Sequence, residues 1–189
     1  MDCFDGGPSA ESGIEKNLEE SHQGLKKSLD ESQKRIEKNL SNLSRHVGGL
    51  SNSVGELTES MFSGKLRKQF AQYGITVWSQ SVRRTFTEGD RIIAEADIFI
   101  ENGDYAIPVE IKTKLTKQSV NEHIKRIGRM RQNLDSKGDK RKLIGAVAGG
   151  VIPDNVLKYA QEKGFFVLTQ SGDNVVIADT PSGFKPREW

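Results

Sequence analysis

Cysteine is nearly absent: Cys3 is the only one among 189 residues. A lone cysteine excludes an intrachain disulfide framework and any cluster of thiolate metal ligands. Long hydrophobic runs are missing too. No stretch is long enough to span a bilayer, and the N-terminus has no apolar core of the secretory-signal kind. Together these absences predict a cytoplasmic protein with no membrane partner. Aromatic residues make up 7% of the chain and form no base-stacking motif of the sort that reads single-stranded RNA. Apolar residues reach only 34% against 29% charged. That is polar for one compact globule, so part of the chain is expected to have no core of its own.

The net charge of +2 is unevenly spread. Residues 1–53 hold 7 Lys/Arg and 9 Asp/Glu, a net of −2, whereas residues 112–142 hold 11 Lys/Arg and 3 acids, a net of +8. The basic block reads either as a solvated face or as a stripe for a polyanion.

The N-terminal third repeats itself. "IEKNL" occurs at 14–18 and again at 36–40, an offset of 22, or twice eleven. Ile14 and Leu18, Leu25 and Leu29, Ile36 and Leu40 form apolar pairs four apart that recur every eleven residues, and Val47 begins the next. Eleven residues over three turns give a nearly straight or slightly right-handed coiled coil. From Ile36 a heptad spacing overlays it through Leu43, Leu50, Val54, Leu57 and Met61. At about 1.5 Å per residue this predicts a rod on the order of 70 Å. So narrow a stripe buries little on one helix, so the rod needs a partner, and a second copy of the chain is the expected one. The alternative is a marginal helix, which Gly48, Gly49 and Gly55 favour locally. His22 and His46 read as polar surface. The divisions are a leader at 1–12, a coiled coil at 13–53, an α/β domain at 54–180 and a loose tail at 181–189.

The domain's patterns predict the order α-β-β-β-α-β-α-β-β. A helix over 53–73 should end at Gly74. Strands follow in "ITVWSQSVRRTF", "EADIFIENGD" and "YAIPVEIKTKL"; a helix covers 117–134, and "KLIGAVAGGVI" reads as an inner strand. Asn102-Gly103 is a hairpin signal. As a two-residue turn it pairs Glu101 with Asp104 and sets Asp97 opposite Pro108. Glu95, Asp97, Glu110 and Lys112 then share one face, with Asp97 and Glu110 diagonal neighbours about 7–8 Å apart. Ala96, Ile98, Ile100, Ile107, Val109 and Ile111 form the opposite, core face.

Clustered carboxylates repel unless a cation lies between them. Oxygen ligands without nearby His or Cys suit Mg²⁺, and a lysine beside them can orient a water or steady a phosphate oxygen. A solvated hairpin face with a cross-strand ion pair is the other reading. On the helix at 53–73, Phe62, Leu66, Phe70 and Tyr73 form an apolar arc with Glu59 at its centre. A carboxylate there requires a partner, such as a metal site or a lysine.

This sequence of features resembles the PD-(D/E)XK nuclease superfamily. A helix with inward Glu59 leads to a strand, to "EADIFIENGD" with Asp97, then to "VEIK" with Glu110 and Lys112, and then to a helix. The resemblance spans about Val54 to Leu168 and looks closest to bacterial members with an N-terminal coiled coil. Ala96 stands where the family name has proline. The resemblance implies a restriction-endonuclease-like mixed α/β sheet flanked by helices. It implies a site in which Asp97 and Glu110, with Ile111 between Glu110 and Lys112, hold Mg²⁺ (or Mn²⁺). Lys112 would act on the attacking water, and Glu59 would complete the acidic set. The expected activity is hydrolysis of DNA phosphodiesters, with no organic cofactor. Lys114, Lys117, Lys125, Arg126 and Arg129 would contact the nucleic-acid backbone. The alternatives are a catalytically inactive DNA-binding or scaffolding protein of the same fold, and RNA as substrate.

Overall fold

The computed structural model describes residues 10–63, 66–172 and 174–189, at 10–12, 63, 67 and 68 by the backbone alone. Residues 1–9 of the expected leader lie outside that range. The chain divides into two compact units, residues 1–51 and 52–189.

Helix α1 (Ala10–Ser63) contributes to both units. In the first unit the repeat is helical from Gly13 onward, and its apolar stripe is exposed among the described residues. Ile14 is 66% exposed and Leu29 69%.

The second unit is a mixed seven-stranded sheet between helical layers. After α1 come α2 (Leu66–Ala71), β1 (Ser79–Glu88), β2 (Arg91–Glu101) and β3 (Tyr105–Lys114). Then follow α3 (Lys117–Ser136), β4 (Lys142–Leu143), β5 (Ala146–Val151), α4 (Asp154–Glu162), β6 (Phe166–Ser171) and β7 (Asn174–Ile177). The sheet order is β1-β2-β3-β5-β6-β7, with β4 also on β3. β1-β2-β3 is an antiparallel meander, β3-β5-β6 is parallel, and β7 closes antiparallel. The "KLIGAVAGGVI" run is therefore one expected strand broken in two around Ile144 and Gly145.

Two cores form, one on each face. The end of α1 and α2 bury Phe62, Leu66 and Phe70 with Ile98, Ile107 and Ile111. The α3 and α4 side buries Phe99, Val120, Ile127, Met130 and Phe165. All six residues expected on the core face of the hairpin are buried, although Ala96 packs with the α3-side cluster. Gly74 ends the second helical stretch at φ 74°, a left-handed value that suits glycine, and donates to the Ala71 carbonyl.

Two expectations need correction. The β2–β3 turn is longer than two residues. Glu101 pairs with Ala106, and the Asn102 side chain accepts from the N–H groups of Asp104 and Tyr105 at 2.9 and 2.6 Å. This Asx turn displaces the register by two. Because strand faces alternate with period two, the shift leaves each β3 residue on its expected face. The C-terminal segment is not loose. Trp189 and Leu143 exchange both backbone hydrogen bonds, Arg187 N–H donates to Gly164, and the Trp189 ring packs on Phe165. Gly164 has φ 81° and a Cβ there would lie 2.6 Å from the Arg187 nitrogen, so this docking needs glycine.

Candidate active site

Strands β2 and β3 part where the acids sit. The β2–β3 ladder runs from Glu101↔Ala106 to Ile98↔Val109 and ends. One step further would set Asp97 directly opposite Glu110, closer than the diagonal relation expected from the shorter turn. There the backbone pairing gives way to a side chain: Ile111 N–H donates to Asp97 Oδ2 at 2.6 Å. The same place shows a change of phase along β2. Ala94 and Ala96 pack on the α3 side, yet Ile98 and Ile100 pack on the other. Across on β1, the ladder pairs Val82 with Ile98 and Arg84 with Ala96 but omits Arg83, the residue facing Asp97. Arg83 has φ 51° and is the only non-glycine at positive φ among the described residues.

Glu110 is fully buried beneath α3, so the reading of this face as solvated fails at its centre. Its Oε1 meets two cations, Lys112 Nζ at 2.6 Å and Arg126 Nη2 at 2.5 Å. Neither approach has hydrogen-bond alignment, so both carboxylate oxygens lack a directed partner. Burial makes such a carboxylate dependent on neighbouring charge. Lys112 is 41% exposed along its side chain and bridges from this buried oxygen to solvent.

Helix α3 supplies the lid. It follows β3 after a two-residue link, at a reciprocal capping box between Thr116 and Ser119. Its inward face carries Val120, His123, Ile127 and Met130. His123 Nε2 donates to the Pro108 carbonyl at 3.2 Å, and Nδ1 lies 4.0 Å from Glu110 Oε2. Burial lowers His123 from 6.5 to about 4. It is therefore neutral at pH 7 and forms no ion pair with Glu110.

Asp97 is pushed the other way. Burial, then the charge of Glu110, raise it from 3.8 to about 6 against the opposing Ile111 N–H and Lys112; Glu59 adds a smaller upward push. Glu59 thus lies within electrostatic reach of Asp97. It is only partly buried, at 28% side-chain exposure, and its partner is neither a metal nor a lysine but Arg83, 3.3 Å away. Asp97, Glu110 and Lys112 meet where the strands part, and Glu59 lies beside them on Arg83, within electrostatic reach of Asp97.

The fit to a divalent cation is tested by this donor set. Asp97 and Glu110 are two hard carboxylates; Asp97 is raised by burial first and by Glu110 second, and Lys112 and Arg126 stand on Glu110 Oε1. Among the described residues no three His, Cys, Asp or Glu converge closely enough to hold a metal by themselves. Mg²⁺ commonly takes one or two carboxylates together with water and substrate phosphate, so the pair fits that ion.

The basic residues divide. Lys114, Lys117, Lys125 and Arg129 are exposed. Arg126 is not among them: only 22% of its side chain is exposed, and it is committed to Glu110. Sequence reasoning missed this tether, and with it His123 and Arg83. A polar spacing of three, His123 to Arg126, beside the apolar stripe of α3 was the available signal. No family model matches the chain, and no curated protein or solved structure matches it. No described helix is long and apolar enough to cross a membrane.

Proposed function

We propose that the protein is a metal-dependent nuclease of restriction-endonuclease-like fold that hydrolyses DNA phosphodiesters with Mg²⁺, or Mn²⁺ in its place. The α1 stripe pairs two chains in this reading. The observation that carries it is the meeting of Asp97, Glu110 and Lys112 where β2 and β3 part, with Asp97 Oδ2 on Ile111 N–H and Lys112 Nζ on Glu110.

Asp97 and Glu110 would hold the cation, with Ile111 between the strands' two acids as the third position. When bound, the ion neutralises phosphate charge and makes a neighbouring water more acidic. Lys112, which rests on Glu110 Oε1, would turn its ammonium to the attacking water and the phosphate oxygen, where charge develops. Arg126 remains on Glu110 and keeps that carboxylate in place. Glu59 completes the acidic set. Lys114, Lys117, Lys125 and Arg129 grip backbone phosphates without reading sequence. A homodimer sets two such sites in one particle, which suits cleavage of two strands.

A second reading is supported by the double engagement of Glu110 Oε1 by Lys112 and Arg126. Two cations already offset the charge of this acid, as expected of a nuclease-fold protein that binds DNA without cutting it. Lys112→Ala separates the two. In the nuclease reading it abolishes Mg²⁺-dependent cleavage and leaves duplex binding intact. Wild-type protein that binds duplex but never cleaves it with Mg²⁺ or Mn²⁺ supports the binding protein instead.

A further inference from the structure

We propose that Arg83 is a phosphate-gripping residue of this site, held on Glu59 in the free protein and transferred to a backbone phosphate when nucleic acid binds. The inference rests on the nuclease reading and adds a residue that its motif does not contain.

Three observations carry it. The first is conformation. Arg83 stands at φ 51° in mid-strand, where the Cβ of any residue but glycine crowds the backbone. Such a residue persists only where the surroundings enforce it, and such residues cluster at functional sites. Arg83 is not in a turn that would call for this geometry. It lies inside β1, between the paired residues Val82 and Arg84.

The second is position. The pair omitted from the β1–β2 ladder is Arg83 with Asp97, the same point at which β2 changes phase and leaves β3. The left-handed residue and the phase change form one kink across two strands. At this kink the Arg83 side chain reaches Glu59, the acid that lies within electrostatic reach of Asp97.

The third is the weakness of what holds Arg83. Its Nε and Nη2 both reach a single oxygen of Glu59, at 3.4 and 3.3 Å, and its side chain is 58% exposed. Its neighbour shows what a structural arginine looks like here. Arg84 is paired with Glu101 at 2.7 Å and stacked 4.4 Å over Phe99. A long, solvent-accessible contact to one oxygen yields readily to a phosphate, which accepts two parallel N–H bonds from a guanidinium. On transfer, Arg83 adds a charge-assisted clamp beside the acids and releases Glu59 toward Asp97. Substrate binding thereby completes the acidic set.

The test uses the full chain and a short DNA duplex in EDTA, with affinity measured across a salt series for the wild type, Arg83→Gln and Arg83→Gly. Gln keeps the stem and the strained backbone but removes the charge; Gly removes the side chain and accepts the left-handed conformation freely. Both variants should bind about five- to tenfold more weakly at low salt, with the log–log salt slope reduced by about 0.9, one phosphate contact. Arg83→Gly should melt no lower than wild type, since the residue it replaces is strained and its ion pair is exposed. Unchanged affinity and slope in both variants, while the wild type binds, overturn this proposal and leave the nuclease reading standing. A fall of more than about 5 °C in the melting temperature of Arg83→Gly also overturns it, by showing that the kink is held for stability. A wild-type chain with no salt-dependent duplex binding overturns the nuclease reading itself.

Discussion

Asp97→Asn should stabilise the metal-free protein at neutral pH. The reason is the environment of the carboxylate: burial and Glu110 lift Asp97 from 3.8 to about 6. A folded pKa above the unfolded one means that between those values the native state holds a proton the unfolded state has lost. Stability therefore falls as pH rises from about 4 to about 6, and the full burden remains above that. A shift of about two units corresponds to about 3 kcal/mol. Partial exposure of Asp97 reduces this, so about 1–3 kcal/mol is expected. Asparagine removes the charge and keeps an oxygen for Ile111 N–H. At pH about 7.5 the variant should exceed wild type by that amount in urea unfolding, at fixed protein concentration in EDTA. At pH about 4 the margin should shrink towards zero, because the wild-type carboxyl is then protonated in the native state. Saturating Mg²⁺ should raise wild-type stability and leave the variant unmoved. A variant less stable than wild type at pH about 7.5, or a margin independent of pH, would refute the reasoning.

Arg126→Ala removes one of the two cations on buried Glu110 and should cost about 2 kcal/mol in the same assay, whereas Lys125→Gln should stay within about 0.5 kcal/mol. Replacing Lys125 and Arg129 together should weaken duplex binding and lower the salt slope by about two contacts, with no change in unfolding midpoint. Deleting residues 1–50 should convert a dimer to a monomer by light scattering while the far-UV signal of the α/β unit persists, since roughly 130 residues suffice for one domain. A full chain that is monomeric at tens of micromolar would assign the α1 stripe to a different partner.

The fold was legible wherever the signal was periodic. Ile98, Ile100, Ile107, Val109 and Ile111 alternate, and that period survived a two-residue error in the turn, because a slip of two returns each side chain to its face. The error came from Asn102, whose side chain captures two backbone N–H groups and lengthens the loop. No dipeptide rule contains that choice. Glu59 was legible as a carboxylate in an apolar arc, but its partner was not: Arg83 lies 24 residues away, and its left-handed backbone has no sequence signature. Arg126 was grouped with Lys125 and Arg129 because charge runs look uniform in one dimension. Only the seating of α3 over β3 turns one of them inward. The docked C-terminus was invisible for the same reason, since Trp189 pairs with a strand more than forty residues earlier.

The most direct test of the central claim is plasmid cleavage by purified full-length protein in Mg²⁺, Mn²⁺ or EDTA, beside a variant carrying both Lys112→Ala and Asp97→Asn. The account predicts nicked or linear product with either metal, none in EDTA, and none from the double variant. Cleavage that survives both substitutions would contradict it.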